Sequence, residues 1–282
     1  MRRSLLLSLA PCTAGAHAQD RAAAFSIHDD PVKFEAGLGE MGLFTGLANK
    51  TFKPAGPGPY PAVVIGHTCG GVGIAHIRQR AKELLAAGFT VLTTDSYGPR
   101  GINQCRGQTK VDTRHQVIDA YAAIRHLRQN PEIDAGRIYY VGYSAGGIAA
   151  AQLAAPVFAP DMPPLRFKAI VSNYASCVFQ WGPNTHRAQL LQRFADTPIL
   201  MLMAERDWEL RPTDCFPQLE EMKAAGKPVE WHIYKDTHHA WDQPFVRYSI
   251  TNGFGQTTDY FHSATVTQDA TARMIEFFNR HK

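Results

Sequence analysis

The feature that most constrains this chain is a Gly-x-Ser-x-Gly pentapeptide at residues 142–146. It lies between an apolar strand pattern at residues 137–141 and a run of small residues, typical of a packed helix, that begins at Gly147. A serine on such a sharp strand-to-helix turn is forced outward at the edge of a sheet, and the two glycines leave room for strained backbone and close packing. The pattern therefore predicts a nucleophile elbow that presents Ser144.

Strand and helix patterns alternate along the rest of the chain. Predicted strands cover residues 62–66, 90–94, 137–141, 167–172, 198–203 and 229–234, and predicted helices cover residues 74–87, 112–128, 147–154, 216–225 and 266–280. Residues 36–52 are expected to hold leading strands. This alternation predicts an α/β fold with a mostly parallel central sheet and helices on both faces. The segment between Ser172 and Pro198 is too short for a large lid domain.

The composition fits one soluble domain. A chain of 282 residues, 45% hydrophobic and 19% charged, can bury one large core. The net charge is +4, and the basic residues are scattered rather than interleaved with aromatic ones, so binding to nucleic acid is not expected. Beyond the N-terminal region, no segment reaches the ~18 consecutive apolar residues of a membrane span, so stable membrane insertion is not expected.

The N-terminus has the pattern of a secretory signal peptide over residues 1–18. Arginines at positions 2 and 3 precede a short apolar run, and an Ala-x-Ala cleavage site follows at residues 16–18. The alternative is a core helix or a frayed terminus, because Pro11 shortens the apolar run. The signal predicts a periplasmic or secreted protein whose single domain spans residues 24–282.

Four cysteines remain once the predicted signal is removed: Cys69, Cys105, Cys177 and Cys215. An even number in an oxidising compartment is compatible with two disulfides, although counting alone leaves four free buried thiols as an equal alternative. We predict that Cys69 pairs with Cys105 and Cys177 with Cys215, because each pair lies in loops that follow neighbouring strands. The close Cys-x-x-Cys spacing of a metal site is missing, and no metal is expected.

A serine nucleophile needs a histidine to take its proton and a carboxylate to orient that histidine. Proteins with this elbow carry the three residues in the chain order Ser, Asp, His. Asp207 follows an apolar run at residues 199–203, which places it at the carboxyl end of a strand. Glu205 is the rival acid, but it lies nearer the strand, where a side chain is more easily turned back along the sheet.

Two adjacent histidines, His238 and His239, follow the next predicted strand. Adjacent residues point in different directions, so only one of them can face Ser144, and the spacing alone leaves the choice open. Asp236 lies beside them, but a third ligand at close spacing is missing, so this cluster does not indicate a metal site.

A tetrahedral intermediate also needs two backbone N–H donors, one after the nucleophile and one from the loop after the first core strand. Ala145 is the candidate for the first donor. Thr68 or Cys69 is the candidate for the second, in a loop where Gly70 and Gly71 let the backbone approach a ligand.

Three motifs together resemble the dienelactone hydrolase family within the α/β-hydrolase fold, over roughly residues 61–282. They are the elbow, Ala-Glu-Arg-Asp at residues 204–207 and His-Ala-Trp at residues 239–241. The family's acid typically follows a Gly-Glu-x-Asp pattern and its histidine typically precedes an alanine and an aromatic residue, so the resemblance implies Asp207 and His239. Dienelactone hydrolase itself uses cysteine where this chain has Ser144, so its particular lactone substrate is not implied.

The resemblance also suggests residues that contact substrate. The family's strand-end aspartate with a nearby arginine is echoed by Asp95 and Arg100, though the spacing differs. Arg100 would suit an anionic substrate; alternatively it holds its own turn, for instance by pairing with Asp95. Tyr97, Tyr143 and Trp241 are further candidate substrate-binding residues.

The sequence as a whole predicts a serine hydrolase that cleaves carboxylic esters or lactones of small molecules through an acyl-enzyme intermediate. No cofactor is expected, and the oligomeric state is left open. A peptidase or amidase of the same fold is the nearest alternative, and a binding module that has lost catalysis is another.

Overall fold

A computed structural model describes residues 31–35, 40–45, 54, 57–105, 111–157, 159, 165–180, 187–244, 246–251, 255 and 257–282. The predicted signal peptide at residues 1–18 and the predicted start of the domain at residue 24 lie outside the described residues.

Twelve strands and five α-helices make up the described part of the chain. The strands are β1 Pro31–Glu35, β2 Glu40–Thr45, β3 Tyr60–Gly66, β4 Thr90–Asp95, β5 Ile133–Tyr143, β6 Ile170–Asn173, β7 Val178–Gln180, β8 Arg187–Gln189, β9 Ile199–Ala204, β10 Val229–Tyr234, β11 Arg247–Thr251 and β12 Thr257–Phe261. The helices are α1 Ala75–Ala86, α2 Thr113–Arg128, α3 Ala145–Leu153, α4 Phe216–Ala224 and α5 Ala264–Arg280.

The central sheet has eight strands in the order β1-β2-β4-β3-β5-β6-β9-β10. The six strands from β4 to β10 in that order run parallel, and β2 runs antiparallel to both of its neighbours. This is the mostly parallel sheet that the alternation of patterns predicts. Because the strands are parallel, their carboxyl ends meet at one edge, where ligands of open α/β sheets bind.

Helices cover both faces of the sheet, because the strands are apolar on both sides. Val64 of β3 packs into a cluster with α2, α3 and α4. Its neighbours Val63 and Ile65 pack into a second cluster with α1 and α5. The fold therefore has two hydrophobic layers, one on each side of the sheet.

Two antiparallel hairpins, β7–β8 and β11–β12, are not among the predicted elements. Four of the five residues of β11 are exposed, as are all three of β8. A strand with no buried face has no alternation of apolar and polar residues, so its sequence resembles a loop. One leading strand, β2, lies within the predicted range of residues 36–52, and β1 precedes that range.

Candidate active site

Ser144 occupies the turn between β5, which ends at Tyr143, and α3, which begins at Ala145. Its backbone has φ 53° and ψ −111°, and a positive φ is strained for a residue with a Cβ. The Ser144 N–H donates to the carbonyl oxygen of Asn173 at 3.1 Å, which ties the turn to β6. The hydroxyl is thereby presented at the carboxyl edge of the sheet.

Both glycines of the pentapeptide are required by close backbone contacts. A Cβ on Gly142 would lie 1.8 Å from the carbonyl oxygen of Gly146, and a Cβ on Gly146 would lie 2.3 Å from that of Gly66. Neither backbone can move far without breaking the elbow, so neither position accepts a side chain.

Three side chains from three different loops form one hydrogen-bonded line. Ser144 Oγ lies 2.9 Å from His239 Nε2, and His239 Nδ1 lies 2.6 Å from Asp207 Oδ2. The second oxygen of Asp207 accepts the backbone N–H groups of Glu209 and Leu210 at 3.0 and 2.9 Å. All three side chains are buried, with residue exposures of 7% for Ser144 and 2% for the other two.

The two rival residues point elsewhere. Glu205 Oε2 accepts the backbone N–H of Asp236 at 2.9 Å. The ring of His238 packs against Phe261 with centroids 4.7 Å apart, and its Nδ1 lies 3.8 Å from Asp259. The structure thus brings Asp207 and His239, rather than their neighbours, to Ser144.

The environment of His239 favours its protonated form. Burial lowers the pKa of the imidazole, but the carboxylates of Asp207 and Glu209 more than offset this and raise the pKa to about 9. An imidazolium that forms when His239 takes a proton from Ser144 is therefore stabilised where it forms.

The loop after β3 lies beside the N-terminus of α3. The Gly146 N–H donates a hydrogen bond to the carbonyl oxygen of His67 at 3.0 Å. Ala145 is the first residue of α3, and an N–H at this position has no partner within its own helix. Thr68 and Cys69 follow His67 directly, so the predicted donors come from two adjoining segments.

His67, which the sequence analysis did not single out as functional, fixes that loop. Its Nδ1 lies 2.7 Å from the Thr68 carbonyl oxygen, and its Nε2 accepts the Ser96 N–H at 3.2 Å. One ring nitrogen must therefore donate and the other accept, which requires neutral imidazole. Burial lowers the pKa of His67, which agrees with this state. The neutral ring joins the loop after β3 to the loop after β4.

Two disulfides join the predicted partners. Cys69 and Cys105 have Cα atoms 4.9 Å apart, and Cys177 and Cys215 have Cα atoms 5.0 Å apart. The pairs follow β3 and β4, and β6 and β9, which are neighbouring strands in the sheet. The Cys105 N–H also donates to the Cys69 carbonyl oxygen at 2.9 Å, which braces the loop that holds the candidate N–H donors.

Arg100 lies in a buried ion pair rather than at an open binding position. Its two terminal nitrogens donate to the two oxygens of Asp119, each at 2.8 Å, and one of them also bonds the Ser96 carbonyl oxygen. Asp95, its expected partner, instead accepts the N–H groups of Tyr97 and Gly98. The prediction that Arg100 binds substrate is therefore replaced by the turn-holding alternative, with a different partner.

The three candidate aromatic residues are also buried. Tyr97 is 3% exposed and packs against His67, Tyr143 is 3% exposed and contacts Met274 of α5, and Trp241 is 1% exposed and packs against Tyr174. Their substrate contacts stay a prediction. Each aromatic side chain has a large apolar area, and here that area is buried in the hydrophobic core.

Residues that the sequence analysis missed surround His239. The ring of Tyr174 meets the imidazole edge to face at 5.0 Å, and its hydroxyl donates to Asp242 at 2.8 Å. Glu209 Oε2 lies 3.9 Å from His239 Nε2, and Tyr260 donates its hydroxyl to the same oxygen. Tyr174 had a signal in the sequence, because it closely follows a predicted strand, and Glu209 had one as a carboxylate two residues after the candidate acid.

Two features are absent from the described residues. These residues contain no group of three or more His, Cys, Asp or Glu side chains arranged to hold a metal ion. In the same part of the chain, no helix combines the length and the apolar character needed to cross a membrane.

A curated protein of a Bradyrhizobium species, named "Probable 2-oxo-3-(5-oxofuran-2-ylidene)propanoate lactonase", is 25% identical over 202 residues, which cover 68% of this chain and 78% of that protein. Among solved structures, the dienelactone hydrolase-like promiscuous phosphotriesterase P91 from metagenomic libraries has a TM-score of 0.64 at 17% identity, covering 89% of this chain and 97% of P91. Thermogutta terrifontis esterase 2, in a form phosphorylated by paraoxon, has a TM-score of 0.61 at 18% identity, covering 90% and 95% of the two chains.

These solved structures share the α/β-hydrolase fold with this chain. The model of the dienelactone hydrolase family matches residues 47–282, which include β3 to β12, all five helices, the elbow and the loops that hold Asp207 and His239. The chain therefore belongs to the dienelactone hydrolase family of carboxylic ester hydrolases.

Proposed function

We propose that this protein hydrolyses carboxylic esters or lactones of small molecules through an acyl-enzyme intermediate on Ser144. The observation that carries the proposal is the hydrogen-bonded line from Ser144 Oγ through His239 to Asp207, at 2.9 and 2.6 Å. A hydroxyl, an imidazole and a buried carboxylate in this geometry are the parts needed to activate a serine.

In the first half of the reaction, Ser144 Oγ attacks the ester carbonyl carbon while His239 Nε2 takes the hydroxyl proton. Asp207 accepts a hydrogen bond from the Nδ1–H group of His239 and stabilises the imidazolium. The tetrahedral intermediate then collapses, the carbon–oxygen bond to the alcohol breaks, and His239 gives its proton to the leaving oxygen. Water repeats these steps in the second half, so that Ser144 is released and the acid leaves.

The oxygen of the tetrahedral intermediate carries a negative charge that must be stabilised. We assign this to the N–H of Ala145 and to the N–H of Thr68 or Cys69, which come from adjoining segments at the edge of the sheet. The Cys69–Cys105 disulfide and the neutral His67 ring hold the second segment in place, so little reorganisation is needed during the reaction.

The relatives as well as the site support the proposed substrate class. The lactonase and the Thermogutta esterase are named for the two bond types proposed here, and the second protein is phosphorylated by an organophosphorus ester. Two disulfides favour an oxidising compartment, and we propose that the protein is periplasmic or secreted.

The test combines a covalent probe with substrate turnover. A fluorophosphonate should label the wild-type protein but not Ser144→Ala, and Ser144→Ala should lower kcat for an activated ester at least ~10³-fold. Ser249→Ala, at an exposed serine, is the matched control and should behave as wild type.

Other outcomes separate the alternatives. Labelling that persists in Ser144→Ala, or near-normal turnover by it, would overturn the mechanism. A wild-type protein that neither reacts with the probe nor cleaves esters would be the non-catalytic binding module. Faster cleavage of an anilide than of the matched ester would indicate an amidase.

A further inference from the structure

A carboxylate faces the reacting nitrogen of His239 from the open side of the site. Glu209 Oε2 lies 3.9 Å from Nε2, the same nitrogen that bonds Ser144 Oγ at 2.9 Å. The Glu209 side chain is 40% exposed, whereas that of His239 is 2% exposed. Glu209 therefore lies at the mouth of the site, and the proposed reaction assigns it no role.

Hydrogen bonds hold Glu209 both at its backbone N–H and at its carboxylate. The Glu209 N–H donates to Asp207 Oδ1 at 3.0 Å, and Tyr260 donates its hydroxyl to Glu209 Oε2. Tyr260 stacks on Tyr248 with centroids 4.8 Å apart and forms a backbone bridge with His239. The β11–β12 hairpin thus holds the charge of Glu209 beside the imidazole.

No arginine or lysine neutralises this charge within the described residues. There, the ion-pair partner of Glu209 is His239 itself. Arg100, the cation that the sequence suggested for the site, is bound to Asp119 through both of its terminal nitrogens. In the neutral state in which His239 can act as a base, the charge that a substrate meets next to Nε2 is therefore negative.

The proton transfer from Nε2 determines which part of a substrate lies next to the Glu209 carboxylate. Nε2 returns its proton to the leaving alcohol oxygen, so this oxygen must come within hydrogen-bond distance of Nε2. A carboxylate 3.9 Å from Nε2 consequently faces the alcohol part of the ester and not the acyl part. A charge on the alcohol two or three bonds from its oxygen would lie about 7 Å from Glu209, where the Coulomb term changes a rate about 3- to 50-fold between dielectric constants of 80 and 20.

We propose that Glu209 determines specificity, favouring esters whose alcohol part carries a positive charge and disfavouring those whose alcohol part is anionic. This inference rests on the proposed ester hydrolysis. Because Glu209 is partly exposed, its effect should lie near the lower end of that range and weaken as salt is added.

Three butyrate esters of matched shape test the proposal. The alcohol part ends in trimethylammonium, in the isosteric uncharged tert-butyl group, or in a carboxylate. Release of acid is followed by pH-stat, and kcat/KM is compared between esters. All three substrates meet the same base, so the ratios cancel any change in the basicity of His239.

Wild type should prefer the cationic ester to the neutral one and the neutral one to the anionic one. Glu209→Gln should lower the cationic-to-neutral ratio about 3- to 10-fold, and Tyr260→Phe should lower it less. Glu205→Gln removes a carboxylate from the same loop, one that bonds the Asp236 backbone instead, and should leave the ratio unchanged.

An unchanged ratio in an active Glu209→Gln variant, or an equal change in Glu205→Gln, would overturn the role of Glu209 and leave ester hydrolysis standing. If Glu209→Gln does not fold, salt dependence decides: a wild-type ratio that stays constant between low and high salt would also overturn it. A wild-type protein that turns over none of the three esters and does not react with a fluorophosphonate would overturn the proposed function, and this inference with it.

Discussion

At the scale of single residues, the backbone is strained at Ser144, and carboxylates surround His239. A non-glycine residue at the φ of Ser144, 53°, costs of the order of 1–3 kcal/mol. The close contacts among Gly142, Gly146 and Gly66 hold this conformation, because neither strand nor helix can relax away from it. His239 in turn is held between Asp207 and Tyr174, so its ring has one orientation.

The roles of the two histidines can be separated by mutation. His239→Ala should lower kcat/KM by ~10³-fold or more, because it removes both the base and the acid of the reaction. His238→Ala should change kcat/KM by less than about tenfold, since its ring packs against Phe261 and away from Ser144. Steady-state kinetics on one neutral ester checks this, and the reverse order of the two variants would assign the base to His238.

The pH dependence should reflect the raised pKa of His239. Burial lowers this pKa and the two carboxylates raise it, to about 9, so below that pH the imidazole of the free enzyme is mostly protonated and cannot act as a base. Hence kcat/KM for a neutral ester should rise with pH and level off above about pH 9. Glu209→Gln removes one of the raising charges and should shift the rise to lower pH. A rise at the same pH in wild type and variant would contradict the contribution of Glu209.

At the scale of secondary-structure elements, the loops after β3 and β4 are joined to each other and to α2. The His67 ring, the Cys69–Cys105 disulfide and the Arg100–Asp119 pair make these connections. Asp119 of α2 is fully buried, so its charge depends on Arg100 for compensation. The loop that holds the candidate N–H donors is therefore supported from the neighbouring loop and from a helix.

Replacement of Arg100 should act on stability and not on substrate choice. Arg100→Ala leaves a buried carboxylate unpaired and should lower the free energy of unfolding by about 3–5 kcal/mol. Removing Asp119 as well should recover part of that loss, because the unpaired charge disappears. Denaturant unfolding measures both variants, and kcat/KM should change equally for acidic and neutral esters. A KM increase confined to the acidic ester would make Arg100 a substrate-binding residue after all.

At the scale of the whole molecule, the reacting groups come from chain segments far apart in sequence that share one edge of a parallel sheet. Ser144 follows β5, Asp207 follows β9 and His239 follows β10. Each of the two disulfides also joins the loops that follow two adjacent strands. The two covalent cross-links thus lie among the loops that follow the strands, as the reacting groups do.

The two disulfides should differ in their effects. Each closes a loop that the chain-entropy relation values at about 3–4 kcal/mol, so Cys69→Ala/Cys105→Ala and Cys177→Ala/Cys215→Ala should both lower Tm. Loss of the Cys69–Cys105 bridge should also lower kcat, because it loosens the loop with the candidate N–H donors, whereas the other double variant should keep its kcat at low temperature. Equal kcat values in the two variants would show that the first bridge does not position that loop.

Much of this protein is determined by local sequence. The pentapeptide around Ser144 predicts its turn because only glycine fits where three backbones meet, and the apolar strands predict the parallel sheet because both of their faces are buried. Asp207 is recognisable from its distance beyond the end of a strand. The cysteine pairing follows from the same strand order, since neighbouring strands bring their following loops together.

Only the tertiary structure decided the rest, because these choices depend on contacts between residues distant in the chain. Arg100 could bind a substrate or a carboxylate of its own chain until α2 places Asp119 against it. Their positions in the sequence make Tyr143 and Trp241 candidate substrate contacts, yet α5 packs against Tyr143 and Tyr174 packs against Trp241. The mostly exposed strand β11 has no periodic signal, and the hairpin that it forms with β12 brings Tyr260 to Glu209 and so places a charge beside the reacting nitrogen.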